Sequence, residues 1–145
     1  MEPHDAVIYW DASAILSALF TDRHSDEAQA WAHRTGLHLM STLAYAETCA
    51  VIARIQRQRL AADVLTQAAR EALDGGPWRR VRAWPAWHLL GSLAKQWSLR
   101  GADLWHLATA KTLLNELPEL QLLTFDARLQ IAAEGERLVG QLGSE

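Results

Sequence analysis

One cysteine, Cys49, stands in 145 residues. Neither an internal disulfide framework nor a multi-cysteine zinc site can form, and the expected setting is reduced and cytoplasmic. A basic excess is also missing. Fourteen Lys and Arg face 17 Asp and Glu, for a net charge of -3, so no overall positive field draws the chain to a polyanion. Any contact with nucleic acid must come from local patches. No apolar run is long enough to read as a membrane span; the nearest, Leu37 to Ile55, is interrupted by Glu47 and several hydroxyl residues. The N-terminus carries no basic region followed by an apolar run, so no secretory signal is expected. Repeats, low-complexity stretches and linkers are absent, and residues 1–145 are expected to form one domain. Half the residues are apolar and 21% are charged, which excludes a disordered or fibrous chain.

What is present is an alternation of short β-type runs with helical stripes. Ala6 to Trp10 reads as a strand ending at Asp11, and Ala14, Ile15, Ala18 and Leu19 then recur at helical spacing. Ser25 is a candidate N-cap for a second helix. Leu37 to Met40 reads as strand two, followed by a long helix over about Thr42 to Arg57. A helix near Ala61 to Leu73, with Leu65, Ala68, Ala69 and Ala72 on one face, stops at Gly75, Gly76 and Pro77. A short strand is expected around Val81. Pro85 suits a helix first turn, and Trp84, Trp87, Leu90, Ala94 and Trp97 follow as a stripe. The next helix opens after Gly101 with Leu107, Ala110, Leu114 and Leu117 inward. Leu120 to Phe125 is a strand, Asp126 to Ala133 a last helix, and Arg137 to Val139 an edge strand. Strand and helix alternating with such short connections predict a parallel sheet covered on both faces.

Four acids carry the chemistry. Asp11 and Asp126 follow strands, Glu47 lies in the second turn of the helix after strand two, and Asp103 starts the helix after Gly101. In a parallel α/β layer these positions share one edge, the edge where such sheets place ligands. Carboxylates 36, 56 and 23 residues apart can therefore meet in one pocket. Asp11, Asp103 and Asp126 each also suit an N-cap. Glu47 falls beside the apolar stripe of its helix, where a carboxylate needs a partner, either an arginine or a shared site. Four clustered carboxylates repel, and without a counter-ion at least one keeps its proton near neutral pH. A divalent cation resolves the repulsion, and an all-oxygen set suits magnesium or manganese better than zinc. The chemistry this supports is metal-assisted hydrolysis, most naturally of a phosphodiester.

The segments Ile8-Tyr-Trp-Asp-Ala-Ser13, Thr42-Leu-Ala-Tyr-Ala-Glu47, Leu99-Arg-Gly-Ala-Asp-Leu-Trp-His-Leu-Ala108 and Leu122-Leu-Thr-Phe-Asp-Ala-Arg-Leu129 together resemble the PIN domain, and more narrowly the VapC-type toxins of toxin–antitoxin pairs. The resemblance spans nearly the whole chain. It implies an α/β/α fold of three layers with a central, mostly parallel sheet, and a magnesium-dependent endoribonuclease, with manganese as substitute. By resemblance, Asp11, Glu47, Asp103 and Asp126 form the acidic quartet. Asp11 and Asp103 are expected to bind metal directly, and Glu47 and Asp126 to serve a second metal or act through water. Ser13 and Thr124 match the supporting hydroxyl positions. A homodimer and a cognate antitoxin covering the acidic pocket are implied as partners. The arginine-rich third strand and Trp105 depart from the usual pattern, which bears on substrate choice.

Charge is uneven along the chain. From Gly75 to Ala102 there are five basic residues, Arg79, Arg80, Arg82, Lys95 and Arg100, and no acid. Arg54, Arg57 and Arg59 likewise stand apart from acids. Arg79, Arg80, Arg82 and Arg100 are the candidates for RNA phosphate contacts, against the plainer reading of a solvated face. The tryptophan stripe can stack bases, but its helical spacing favours burial in the core or an interface. His106 invites a general-acid role, yet a packed or hydrogen-bonded one fits better; Cys49 reads as packed. Two other phosphate-handling folds fail on residues: dehalogenase-like phosphatases want an acid where Ser13 stands, and receiver domains want a lysine after a late strand. The non-enzymatic alternative is a PIN-like scaffold that binds RNA or a partner without cutting.

Overall fold

The structure, a computed structural model, describes residues 5–139; both ends of the expected 1–145 domain lie outside them. Eleven elements follow in order: β1 (Ala6–Trp10), α1 (Ala12–Leu19), α2 (Ser25–Ala32), β2 (Gly36–Ser41), α3 (Thr42–Arg57), α4 (Asp63–Gly75), β3 (Trp78–Val81), α5 (Trp87–Gln96), α6 (Gly101–Leu114), β4 (Leu120–Leu123) and α7 (Ala127–Gly135). The four strands form one sheet in the order β3-β2-β1-β4, and every pairing is parallel. Helices cover both faces, giving the α/β/α layering expected of the sequence.

β1 shows how the chain builds this. Ala-Val-Ile-Tyr-Trp is β-branched and aromatic, and all five residues are buried, as a central parallel strand requires. Side chains alternate across the sheet. Ala6, Ile8 and Trp10 pack on one side with Ile15, Trp31, Ile52 and Leu73 of the first four helices. Val7 and Tyr9 pack on the other with Leu93, Leu107, Leu129 and Leu138. Helix α6 is buried continuously from His106 to Ala110, so it lies inside the fold rather than on a surface.

Because all strands run the same way, their C-terminal ends share one rim. Trp10 stands level with Met40 and Leu123, and Ser41 with Val81. Asp11, Thr42, Arg82 and Thr124 therefore leave the sheet side by side.

Several expectations need correction. Ser25 is the first residue of α2 rather than its cap: His24 holds that place, and the Ser25 hydroxyl instead donates to Phe20 O and accepts from Asp22 N. The inner face of α4 is Thr66, Ala69 and Leu73, with Leu65, Ala68 and Ala72 outward. Pro85 lies in the extended connection before α5, whose cap is Ala86. Residues 137–139 are not a strand. Arg137 turns the chain at φ 61°, and Leu138 gives one carbonyl to Leu122 N.

Gly36 begins β2 at φ 151°, and a Cβ there would lie 2.1 Å from Ala6 O. The close approach of β2 to β1 depends on a missing side chain. Gly36→Ala should cost roughly 1–3 kcal/mol from backbone conformation alone, lowering the melting temperature by on the order of 5–10 °C. Thermal unfolding at the parental temperature would show that the strand pair tolerates the methyl.

Candidate active site

Asp11 anchors the rim. It caps α1 and is 3% exposed. One carboxylate oxygen, Oδ1, accepts from the Ser13 hydroxyl at 2.7 Å and from Ala14 N at 2.9 Å. The other, Oδ2, accepts from the Thr124 hydroxyl at 2.5 Å. An ionised carboxylate offers about four lone-pair sites, and three donors fill three of them. Burial pushes the Asp11 carboxyl above its ordinary range, although the hydrogen bonds from Thr124, Ala14 and Ser13 pull it back.

The same hydroxyls tie the two strand ends together. Thr124 Oγ1 accepts from Asp126 N, and Ser13 Oγ accepts from Phe125 N. Asp126 caps α7, taking Leu129 N on Oδ1 at 3.0 Å. Capping was the plainer reading of both residues, and it holds for Asp11 and Asp126 alike. It does not hold for Asp103, because α6 is capped by Arg100.

Glu47 projects from the second turn of α3. Its partner is a histidine rather than an arginine: His106 Nε2 lies 2.7 Å from Glu47 Oε1. The His106 side chain is 2% exposed and that of Glu47 33%. The other ring nitrogen, Nδ1, lies 2.6 Å from the Tyr9 hydroxyl. Sequence reasoning placed His106 in a hydrogen-bonded role but left Tyr9 unmentioned. The available signal was a phenol in a strand buried on both faces, since such an O–H needs a partner. Burial, with the nearby Asp11 and Glu47 charges, raises the Tyr9 hydroxyl well above its usual range.

Asp103 stands in the first turn of α6. Its carboxyl is pushed above the ordinary range, first by burial and next by the Asp126 carboxylate; Glu47 adds to this, while His106 and Arg100 pull the other way. All four acids thus act on a shared region, through Asp103 or through Tyr9. Among the described residues, however, no three His, Cys, Asp or Glu side chains stand close enough to enclose one metal ion. The donor chemistry nevertheless fits a hard cation. The four groups are all carboxylates, two of them held above their ordinary range, with only Arg100 as an arginine acting on Asp103.

The expected basic residues are not all at the acids. Arg79 and Arg82 are exposed on and after β3. Arg80 is committed elsewhere, 2.8 Å from Asp74 and stacked over the Tyr45 ring. Arg100 alone of the four acts on Asp103. The tryptophan stripe also divides. Trp84 and Trp87 are 70% and 89% exposed, whereas Trp97 is half-buried and donates to Glu136. Core burial is thereby excluded for the first two. Cys49 is half-buried on α3. A cavity of about 290 Å³ runs along β4, lined by His24, Trp31, Gln121, Thr124, Phe125 and Gln130 among others; it meets the acid network at Thr124. Among the described residues, no helix is long and apolar enough to cross a membrane.

A parallel α/β/α sheet with acids along its C-terminal rim is the architecture of the PIN domain, and the PIN domain family model matches residues 8–135. The chain belongs to this family. Within it, the similarity is to VapC-type proteins: it is 35% identical over 133 residues to Ribonuclease VapC45 and to Ribonuclease VapC49, from two strains of Mycobacterium tuberculosis, with 88% of this chain and 89% of each relative covered. Among solved structures it is similar to VapC20 of M. tuberculosis, described as a sarcin-ricin loop cleaving toxin, with TM-score 0.57, 15% identity and coverage of 86% and 94%. PAE2754 from Pyrobaculum aerophilum matches with TM-score 0.62 and 17% identity over 90% of this chain and 81% of that one. These two show the fold.

The raised carboxyl of Asp103 has a consequence for stability. A carboxyl lifted on folding contributes stability below its unfolded value, near pH 4, that is lost as pH rises through the folded value. Asp103→Asn should therefore raise the melting temperature at pH 7, and the gain should shrink as the pH falls toward about 4 and be gone below it. A melting curve at pH 7 that is unchanged or lowered would contradict this.

Proposed function

We propose that the chain is a divalent-metal-dependent endoribonuclease, the toxin of a toxin–antitoxin pair, hydrolysing RNA phosphodiester bonds in the cytoplasm. Two similar proteins are named ribonucleases. The observation that carries the metal reading is the pair of carboxyls, Asp11 and Asp103, held above their ordinary range beside two further acids. Such a site gains most from a bound cation.

Asp11 and Asp103 are the direct ligands in this reading. Asp11 keeps one lone-pair site beyond its three donors, and Asp103 keeps its carboxylate available at the start of α6. Glu47 and Asp126 each commit one oxygen, to His106 and to Leu129 N, and have the second available to orient water or a second ion. Magnesium, with manganese as substitute, would lower the pKa of bound water and offset charge on the phosphate oxygens. Ser13 and Thr124 fix Asp11 in one rotamer, so the attacking water is aimed rather than merely bound. Arg100 is the first choice for a flanking phosphate contact, with Arg79 and Arg82 farther along the rim and Arg80 reachable only by leaving Asp74. A homodimer and an antitoxin bearing a basic side chain into the acids complete the proposal.

Cleavage of RNA should require magnesium and stop on chelation. Asp11→Asn and Asp103→Asn should each lose more than the roughly 10–100-fold that outer partners of a metal site cost. Parental rates in both variants would show that the site is wrongly assigned, and no magnesium-dependent cleavage by the parental protein would leave the non-cutting scaffold as the better account. Expression should arrest a bacterial host, and Glu47→Gln should relieve the arrest; undiminished toxicity would remove Glu47 from the mechanism.

A further inference from the structure

The buried pair Tyr9 and His106 points to a device that the four acids do not include. We propose that Tyr9 and His106 form a positioning relay that fixes the Glu47 carboxylate, with Tyr9 donating to His106 Nδ1 and His106 Nε2–H donating to Glu47 Oε1. The proposal rests on the nuclease reading for its effect on catalysis, but its geometry stands on the hydrogen bonds alone.

The argument runs from the sheet outward. Tyr9 sits in β1 two residues before Asp11, buried completely on the face covered by α6. Its hydroxyl lies 2.6 Å from His106 Nδ1, and the two rings meet edge to face. A carboxylate can only accept, so the contact with Glu47 Oε1 at 2.7 Å places a proton on His106 Nε2. With that proton on Nε2, Nδ1 is left to accept from the Tyr9 hydroxyl, 2.6 Å away. The Ser41 hydroxyl also bonds to Tyr9, and as a donor to the phenol oxygen it leaves the Tyr9 proton for Nδ1, with no conflict of direction. Both separations are at the short end for protein hydrogen bonds.

The placement matters for the acids. His106 lies one helical turn after Asp103, on the same side of α6. The relay therefore connects β1, which carries Asp11, through α6, which carries Asp103, to α3, which carries Glu47. One Glu47 oxygen is held from below, and the one-third exposed side chain leaves the other available to the site. Without the relay, a flexible Glu side chain near Asp103 would swing away from it, since like charges repel. Packing alone would be served by leucine, with no buried polar group to satisfy.

The first test is spectroscopic and uses the metal-free protein. Nitrogen-15 spectra of the histidines at neutral pH should show His106 with a proton on Nε2, and Tyr9→Phe should shift the Nδ1 signal as its hydrogen bond is lost. A proton on Nδ1 with Nε2 bare overturns the relay. The second test compares His106→Leu, His106→Gln and Tyr9→Phe in Mn2+ titrations and in RNA cleavage with kcat and KM separated. His106→Leu should weaken Mn2+ binding and lower kcat by about 10–100-fold, the scale of an outer partner of a metal site, with KM for RNA unchanged. His106→Gln, whose amide can both accept and donate, should recover most of the loss. Equal impairment in the glutamine and leucine variants, or parental Mn2+ binding in the leucine variant, sinks the proposal. Asp11→Asn and Asp103→Asn serve as controls: parental cutting by both defeats the assignment of the acidic site, whereas inactivity of both alongside a normal His106→Leu defeats only the relay.

Discussion

A carboxylate taken almost wholly out of water organises this molecule. Asp11 pays for burial with three hydrogen bonds, and each donor comes from a place that the fold must supply. Ala14 N is given by the first turn of α1, Ser13 by its capping segment, and Thr124 by the end of β4. The Thr124 contact is possible only because β1 and β4 are parallel and in register, with Trp10 level with Leu123. A slip of one residue would turn Thr124 to the opposite face and leave a buried charge short of a partner. The register of the sheet and the electrostatics of the rim are therefore one problem with one solution.

The acids divide the remaining work by their surroundings. Asp126 is partly satisfied as a helix cap, Glu47 by an imidazole, and Asp103 by none of the described hydrogen bonds, so repulsion is felt most at Asp103. That ranking follows from burial and partners rather than from residue type. It is also why a site of four similar groups can offer distinct roles. The fold holds them near one another at a cost in stability, as functional sites commonly do.

Much of this was legible in the residues. The β1 pattern, the span Thr42–Arg57 and the positions of the acids after strands follow from periodicity and from the rule that parallel strands end at one rim. Local signals misled where a tertiary contact took precedence. Ser25 has the chemistry of a cap, but its hydroxyl closes the turn at Phe20 and Asp22. Trp84 and Trp87 have the spacing of a buried stripe, yet the helix begins at Trp87 and both indoles face water. Arg80 looked free for phosphate because Asp74 lies six residues earlier and across a glycine turn. The Tyr9–His106–Glu47 chain joins residues 97 and 59 positions apart, and no local pattern announces such a meeting.

The two outer strands of the sheet are finished differently. On one flank, Leu138 returns to give its carbonyl to Leu122, a single contact that blocks part of the β4 backbone. On the other, no strand among the described residues lies beyond β3, and its exposed Arg79 and Arg80 are followed by Arg82. Unpaired strand backbone invites fibrous association, and a cluster of like charges discourages a second copy from docking there. The guanidinium groups of Arg79 and Arg82 thus also guard the bare flank against edge pairing.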